Sequence, residues 1–230
     1  MEQRSLDWFK IRCKRFTGSE MWKLLQGGRR DMTEDELKAE KERGGKRTTI
    51  TTEFGDTALE YIFSRAVNIV FGFDEEESQF DTIDIRRGNE LEPFAFNKFK
   101  ELKELEFIEV EKCDFFPYGS DAGASPDGLV KPDKVLEIKC PRPNKFFKLV
   151  KDGHKAIDKE YMVQMQTEIM CTNSVGCHFF NYIIRNGEEM WHEIYVERDD
   201  VMIALIKEKI KKACLIRDEY INELRKNKQF

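Results

Sequence analysis

The five residues Leu136-Glu137-Ile138-Lys139-Cys140 constrain this chain more than any other segment. In a strand, successive side chains point to opposite faces, so Leu136, Ile138 and Cys140 go to one side and Glu137 and Lys139 to the other. The apolar three pack into a core, and the two charged groups are thereby presented together. Just upstream, Ser125-Pro126-Asp127-Gly128 combines Pro and Gly in a turn that can return Asp127 to the side of the same strand. Two carboxylates aimed at one point repel unless a cation lies between them, and hard oxygen ligands of this kind suit Mg²⁺ or Mn²⁺. A neighbouring lysine adds positive charge for an attacking water or a strained phosphate. Phosphodiester hydrolysis needs this combination: activation of water, neutralisation of charge at phosphorus and support for the leaving oxygen.

The rest of the chain can build a scaffold for such a site. Its 230 residues suit a single domain over 1–230, and 40% hydrophobic residues with 18 phenylalanines supply a core. A net charge of −5 argues against a protein that simply coats nucleic acid, but leaves room for an enzyme that acts on it, because clustered acids lower the total. No apolar run approaches the roughly 20 residues of a membrane span, and the opening MEQRSLDWFK is too charged for a signal peptide, so a soluble, cytoplasmic protein is expected. The six cysteines form no C-x-x-C pair, which points to reduced, mostly buried thiols.

Thr17-Gly18-Ser19-Glu20 reads as a capping box opening a short helix that Gly27-Gly28 closes. The polar stretch 29–52 is expected to be a mobile or partly helical connector. Helical spacing follows over Phe54 to Val70, from Gly88 through Leu102, and over Ile157 to Met170. Phe107 to Phe116 and Lys134 to Cys140 read as strands, joined by a turn-rich link over Ser120 to Gly128. Cys177 to Arg185 and Met190 to Glu197 form a hairpin around Asn186-Gly187, and a long amphipathic helix closes the chain over 200–226. The expected class is α/β, a mixed central sheet flanked by helices.

With Asp127, Glu137 and Lys139 in this order, the chain resembles the PD-(D/E)-x-K nuclease superfamily and its lambda-exonuclease or YqaJ-like viral recombinase branch. The matching segments are Trp8-Phe9-Lys10-Ile11-Arg12, Thr17-Gly18-Ser19-Glu20, Arg87-Gly88-Asn89-Glu90-Leu91-Glu92, Ser125 to Leu129, Leu136 to Pro141, and Tyr161-Met162-Val163-Gln164-Met165-Gln166. The resemblance implies a restriction-endonuclease-like fold and a Mg²⁺-dependent exonuclease, with Mn²⁺ able to substitute. Such an enzyme degrades linear duplex DNA 5′→3′ to mononucleotides and leaves a 3′ single strand for phage-type recombination.

It implies Asp127, Glu137, Glu92 and the carbonyl of Ile138 as ligands for one or two ions, with Lys139 orienting the water and Gln164 donating a hydrogen bond nearby. Glu90 competes with Glu92 for its role. Arg12, Ser19 and Ser125 are implied as a pocket for a terminal 5′-phosphate, consistent with anion binding at a helix start and with the guanidinium fork. Ile85 matches a wedge that parts the duplex end, and Arg29 a groove contact. Arg142, Lys145 and Lys148, with Lys151, His154 and Lys155, are candidates for a phosphate-contacting rail anchored by Phe146 and Phe147. The resemblance further implies a homotrimeric ring threaded by DNA and a single-strand annealing partner. The chain departs from the pattern upstream of Ser125, where Pro117 stands in place of an acid and Asp114 and Asp121 are displaced. The competing readings are a structure-selective endonuclease of the same superfamily and a non-catalytic module that binds DNA ends.

Overall fold

The computed structural model describes residues 5–73 and 82–226, the side chains at 83–85 excepted. Its main sheet has five strands in the order β10-β9-β8-β7-β4: β4 (Val110–Glu111), β7 (Gly128–Val130), β8 (Lys134–Lys139), β9 (Gly176–Arg185) and β10 (Glu188–Glu197). β8 runs parallel to β9 and antiparallel to β7, so the sheet is mixed as expected. The hairpin between β9 and β10 turns at Asn186 and Gly187, whose φ values of 53° and 80° give the left-handed pair that a tight, right-twisted hairpin requires.

Helices cover both faces. α4 (Ile83–Leu105) packs Ala95, Phe96 and Phe99 against Leu136, Ile138, Phe180 and Tyr182 on one side. On the other side, Val135, Cys177 and Phe179 meet a larger core built from α3 (Asp56–Phe71), α6 (Lys159–Thr172) and the closing helix α7 (Asp200–Lys226). The alternation read in β8 therefore has its expected consequence: Leu136 and Ile138 are swallowed by the α4 side, and Glu137 and Lys139 share the α6 side with Val135. A second sheet of three short strands, β1 (Phe16–Thr17), β5 (Phe116–Tyr118) and β6 (Ala122–Ala124), lies in the order β1-β6-β5. All six cysteines are free. No helix among the described residues is long and apolar enough to cross a membrane.

Several local expectations need correction. The helix around Gly88 begins earlier, at Ile83, so Gly88 lies inside it rather than opening it. Thr17 to Glu20 starts a 3₁₀ helix (Gly18–Leu25) without a capping box: Thr17 makes no side-chain cap, its N–H donates to the Tyr61 hydroxyl at 2.8 Å, and Glu20 pairs with Lys23 at 2.6 Å and Arg65 at 3.6 Å. The segment 29–52 contains the helix α2 (Glu34–Glu42), which does carry a capping box between Thr33 and Glu36. It is flanked by two strands that were not foreseen, β2 (Gly28–Asp31) and β3 (Thr49–Thr52), paired antiparallel. The expected strand over Phe107 to Phe116 is broken into β4 and β5, and the link after it contains β6.

Candidate active site

Asp127 stands at the end of the turn leading into β7, and two hydrogen bonds lock it to β8. Its N–H donates to the carbonyl of Leu136 at 2.9 Å, and its Oδ2 accepts the N–H of Ile138 at 2.6 Å. Glu137, 1% exposed, sits between β7 and β9 under α6. Lys139 reaches back along the same face and forms an ion pair with Glu137 Oε1. Its ammonium also lies 4.8 Å from the centre of the Tyr161 ring, a favourable electrostatic contact.

α6 supplies the opposite wall. Tyr161, Gln164 and Glu168 recur at the spacing of one helix face. Gln164 Nε2 donates to Glu137 Oε1 at 2.6 Å and to Glu168 Oε1 at 2.9 Å, while its Oε1 accepts from Lys139 Nζ at 3.3 Å. The two acids thus set which way the amide faces. Glu168 is 1% exposed, and its Oε2 is buried without a hydrogen-bond partner among the described residues.

This concentration of buried acid has electrostatic consequences. Burial, reinforced by the charges of Glu137 and Glu92, pushes the Asp127 carboxyl well above its usual range. Burial and the charge of Glu137 do the same to Glu168. Lys139 goes the other way: burial alone would favour its neutral form, but the charges of Glu137 and Asp127 outweigh it and keep the ammonium protonated. Cys140, at the mouth of the site, is pushed up to about 12 by burial and by Glu92, so its thiol is not a nucleophile at neutral pH.

Asp127, Glu137 and Lys139 line a cleft of about 620 Å³, together with Glu92, Arg87 and Tyr161. Glu92 approaches from α4 and is 3.7 Å from Lys112. Arg87, five residues earlier on α4, donates to the carbonyls of Cys140 and Pro141 at 2.8 and 3.2 Å and ties α4 to the end of β8. The same cleft holds Arg12, Ser19 and Ser125. Arg12 leaves α1 (Leu6–Arg12) and spans the two serines, donating from Nη1 to Ser125 Oγ and from Nη2 to Ser19 Oγ, each at 3.1 Å. Trp8 holds this arm from below: its indole N–H donates to Ser125 at 3.0 Å, and its ring lies 3.9 Å from the guanidinium carbon. Burial lowers Arg12 to about 10, which still leaves it charged at neutral pH.

The remaining candidates are dispersed. Arg142 lines the cleft, and so does Lys145, whose ammonium is held by the carbonyl of Ala156 at 2.9 Å and by Asp158 at 2.5 Å. Lys148 is exposed on α5 (Pro143–Asp152) away from the cleft lining, and of the two phenylalanines only Phe146 is buried. Glu90 is exposed and does not line the cleft. Arg29 lines a separate cleft of about 610 Å³ between β2 and the start of α3, which has neither Lys139 nor the acids around it. The first cleft is the candidate active site on its chemistry, since the two are nearly the same size. The side chain of Ile85 lies outside the described residues. Asp121 is committed elsewhere, to Arg217 at 2.7 Å. Glu168, Tyr161, Trp8 and Arg87 were given no role from the sequence: Trp8, Arg87 and Tyr161 each open a segment that matches the family pattern, and Glu168 was hinted at only by its helical spacing from Gln164.

The donor set fits a hard divalent cation. It consists of carboxylate oxygens, it leaves Glu168 Oε2 without a partner, and it crowds acids whose mutual repulsion a cation relieves. Among the described residues no three acidic, histidine or cysteine side chains are already gathered as a metal cage. Glu137 is instead occupied by Lys139 and Gln164.

A mixed sheet between helices, with Asp127, Glu137 and Lys139 gathered beside its central strand, defines an α/β protein with a cleft of acids and a lysine. The YqaJ-like viral recombinase domain matches residues 7–175, and the chain belongs to that family. No curated protein sequence matches it. Among solved structures, the fold is shared with an alkaline exonuclease, LHK-Exo, from Laribacter hongkongensis: TM-score 0.72, 24% identity, covering 96% of this chain and 97% of that one. The same protein in complex with dAMP gives a TM-score of 0.73 at 23% identity, with the same coverage. A phage-related exonuclease from Haemophilus somnus 129PT gives 0.62 at 18% identity, covering 91% of this chain and 96% of that one.

Proposed function

We propose that this chain is a Mg²⁺-dependent exonuclease that degrades linear double-stranded DNA from its 5′ ends to mononucleotides and leaves 3′ single strands. The observation that carries the reading is the convergence, in one cleft, of Asp127, Glu137 and Lys139 with the Arg12-Ser19-Ser125 pocket. An endonuclease needs the first group alone. A pocket for a terminal phosphate beside the reacting atoms makes sense for an enzyme that counts from an end.

Asp127, Glu137, Glu92 and the carbonyl of Ile138 would hold one or two Mg²⁺ ions, with Mn²⁺ able to replace them. Bound there, the cation would lower the pKa of an attacking water and offset charge at phosphorus. The chain's own groups then have separable tasks. Lys139 stays protonated, directs its ammonium at the water and phosphate, and is kept in place by Tyr161 beneath it. Gln164 presents an amide whose orientation is fixed by Glu168, and its second N–H, held here by Glu137 Oε1, would be the donor at the reacting centre once Glu137 turns to a cation. Arg12 and the two serines grip the terminal phosphate and so set which bond lies at the site. Under the same reading the working unit is a homotrimer encircling DNA, acting in the cytoplasm and passing its single strand to an annealing protein in phage-type recombination.

The test is digestion with Mg²⁺ of a linear duplex and of a covalently closed circle of the same sequence. Mononucleotides from the linear form and survival of the circle are expected. A nicked or fragmented circle would instead favour a structure-selective endonuclease, and binding without hydrolysis a DNA-end-binding module.

A further inference from the structure

Arg217 lies on α7, beyond the stretch matched by the family domain, yet it reaches Asp121, at the start of the pairing of β1 with β6. It is 8% exposed, and its guanidinium carbon stands 6.0 Å from the centre of the Phe16 ring. Nη1 donates to Asp121 Oδ1 at 2.7 Å, while Nε and Nη2 donate to Asp218 Oδ1 at 3.1 and 2.9 Å. The backbone carbonyl of Asp121 in turn accepts the N–H of Phe16 at 2.8 Å. From there β1 and β6 run side by side in parallel, Phe16 with Ala122 and Thr17 with Gly123. At the next step Gly18 and Ala124 are in such close contact that a Cβ on Gly18 would stand 3.2 Å from that of Ala124. The residues after those are Ser19 and Ser125, the two that Arg12 spans.

We propose that Arg217 is a positioning residue for end recognition: by gripping Asp121 it fixes β1 against β6, sets the separation of Ser19 and Ser125, and so tunes preference for a phosphorylated 5′ end. The inference rests on the phosphate-pocket reading given above. Two short strands of two and three residues have little stability of their own. A buried guanidinium bonded to the loop that starts the pairing is a physically sufficient clamp.

Steady-state digestion of otherwise identical duplexes ending in 5′-phosphate or 5′-hydroxyl separates the possibilities. The wild type is expected to prefer the phosphorylated end through KM. Arg217→Met, which keeps the apolar stem over Phe16, is expected to raise KM for that end about tenfold, with kcat and the hydroxyl-end KM little changed. Asp121→Ala removes the acceptor while keeping the backbone carbonyl that Phe16 uses and leaving Arg217 packed, and the same loss is expected, while Arg217→Lys restores part of it. A wild-type ratio between the two ends in both Arg217→Met and Asp121→Ala, or an equal loss on both, overturns the clamp while leaving the pocket intact. A wild type blind to the end group overturns the pocket reading itself.

Discussion

Asp127 accepts the backbone N–H of Ile138 at 2.6 Å, between the two residues whose side chains complete the site. One acid is thereby fixed to the strand that carries Glu137 and Lys139, and the three move as a unit. Asparagine can accept the same N–H through its amide oxygen but lacks the anionic charge. Asp127→Asn is therefore expected to lose cleavage by on the order of 10³-fold, while melting in EDTA at a temperature no lower than the wild type. Calorimetry and digestion of one preparation check both halves; cleavage within tenfold of wild type would remove Asp127 from the site.

The raised carboxyls of Asp127 and Glu168 have a definite pH signature. A carboxyl whose folded pKa lies above its unfolded value of about 4 contributes most to stability when protonated. That contribution is lost as pH rises through the folded pKa. Glu168→Gln imitates the protonated form at every pH. In EDTA its melting temperature should equal the wild type's below about pH 4 and exceed it increasingly as pH rises from there through the folded pKa. Mg²⁺ should narrow the gap, since it binds the native wild type and relieves the same repulsion. A gap that shrinks with rising pH in EDTA would contradict the assignment of Glu168 as a crowded, buried acid.

How much of this was legible in the sequence follows from the range of the interactions. β8 declared itself because a period of two sorts Leu136 and Ile138 from Glu137 and Lys139 within a few residues, and the hairpin because Asn186-Gly187 is a local turn signal. Glu168 could not be found this way. A buried acid on a helix looks like a solvated one until the helix is docked on β8. Arg12, Ser19 and Ser125 came together only through the family pattern, being 7 and 113 residues apart in the two bonds that join them. The capping box failed for a non-local reason as well, since Tyr61, on α3, takes the Thr17 N–H that Glu20 would have accepted. β2 and β3 were missed because Thr49-Ile50-Thr51-Thr52 is short, polar and exposed, and pairs only because α2 brings its ends together.

End recognition should depend on the shape of Arg12 and not merely its charge. Its fork reaches Ser19 and Ser125 simultaneously, which a lysine cannot do. Arg12→Lys is expected to raise KM for a 5′-phosphorylated duplex about tenfold with kcat largely preserved. An unchanged KM would show that the pocket does not carry the terminal group.

The apolar side of β8 should matter for stability. Leu136 is fully buried between Phe96, Phe99 and Phe180, and its removal leaves a cavity directly behind Glu137. Leu136→Ala is expected to cost about 2–5 kcal/mol, lowering the melting temperature by several degrees in a chain of this size. Chemical denaturation gives the value directly, and a cost below about 1 kcal/mol would mean that this side of the sheet is loosely packed.

The most direct measurement is the single-turnover release of nucleotides from an end-labelled linear duplex in Mg²⁺, comparing the wild type with Lys139→Ala at matched DNA occupancy. The account predicts steady release of mononucleotides by the wild type, none in EDTA, and a Lys139→Ala rate lower by on the order of 10³-fold with duplex binding retained. Equal rates for the two proteins, or no Mg²⁺-dependent release by either, would contradict it.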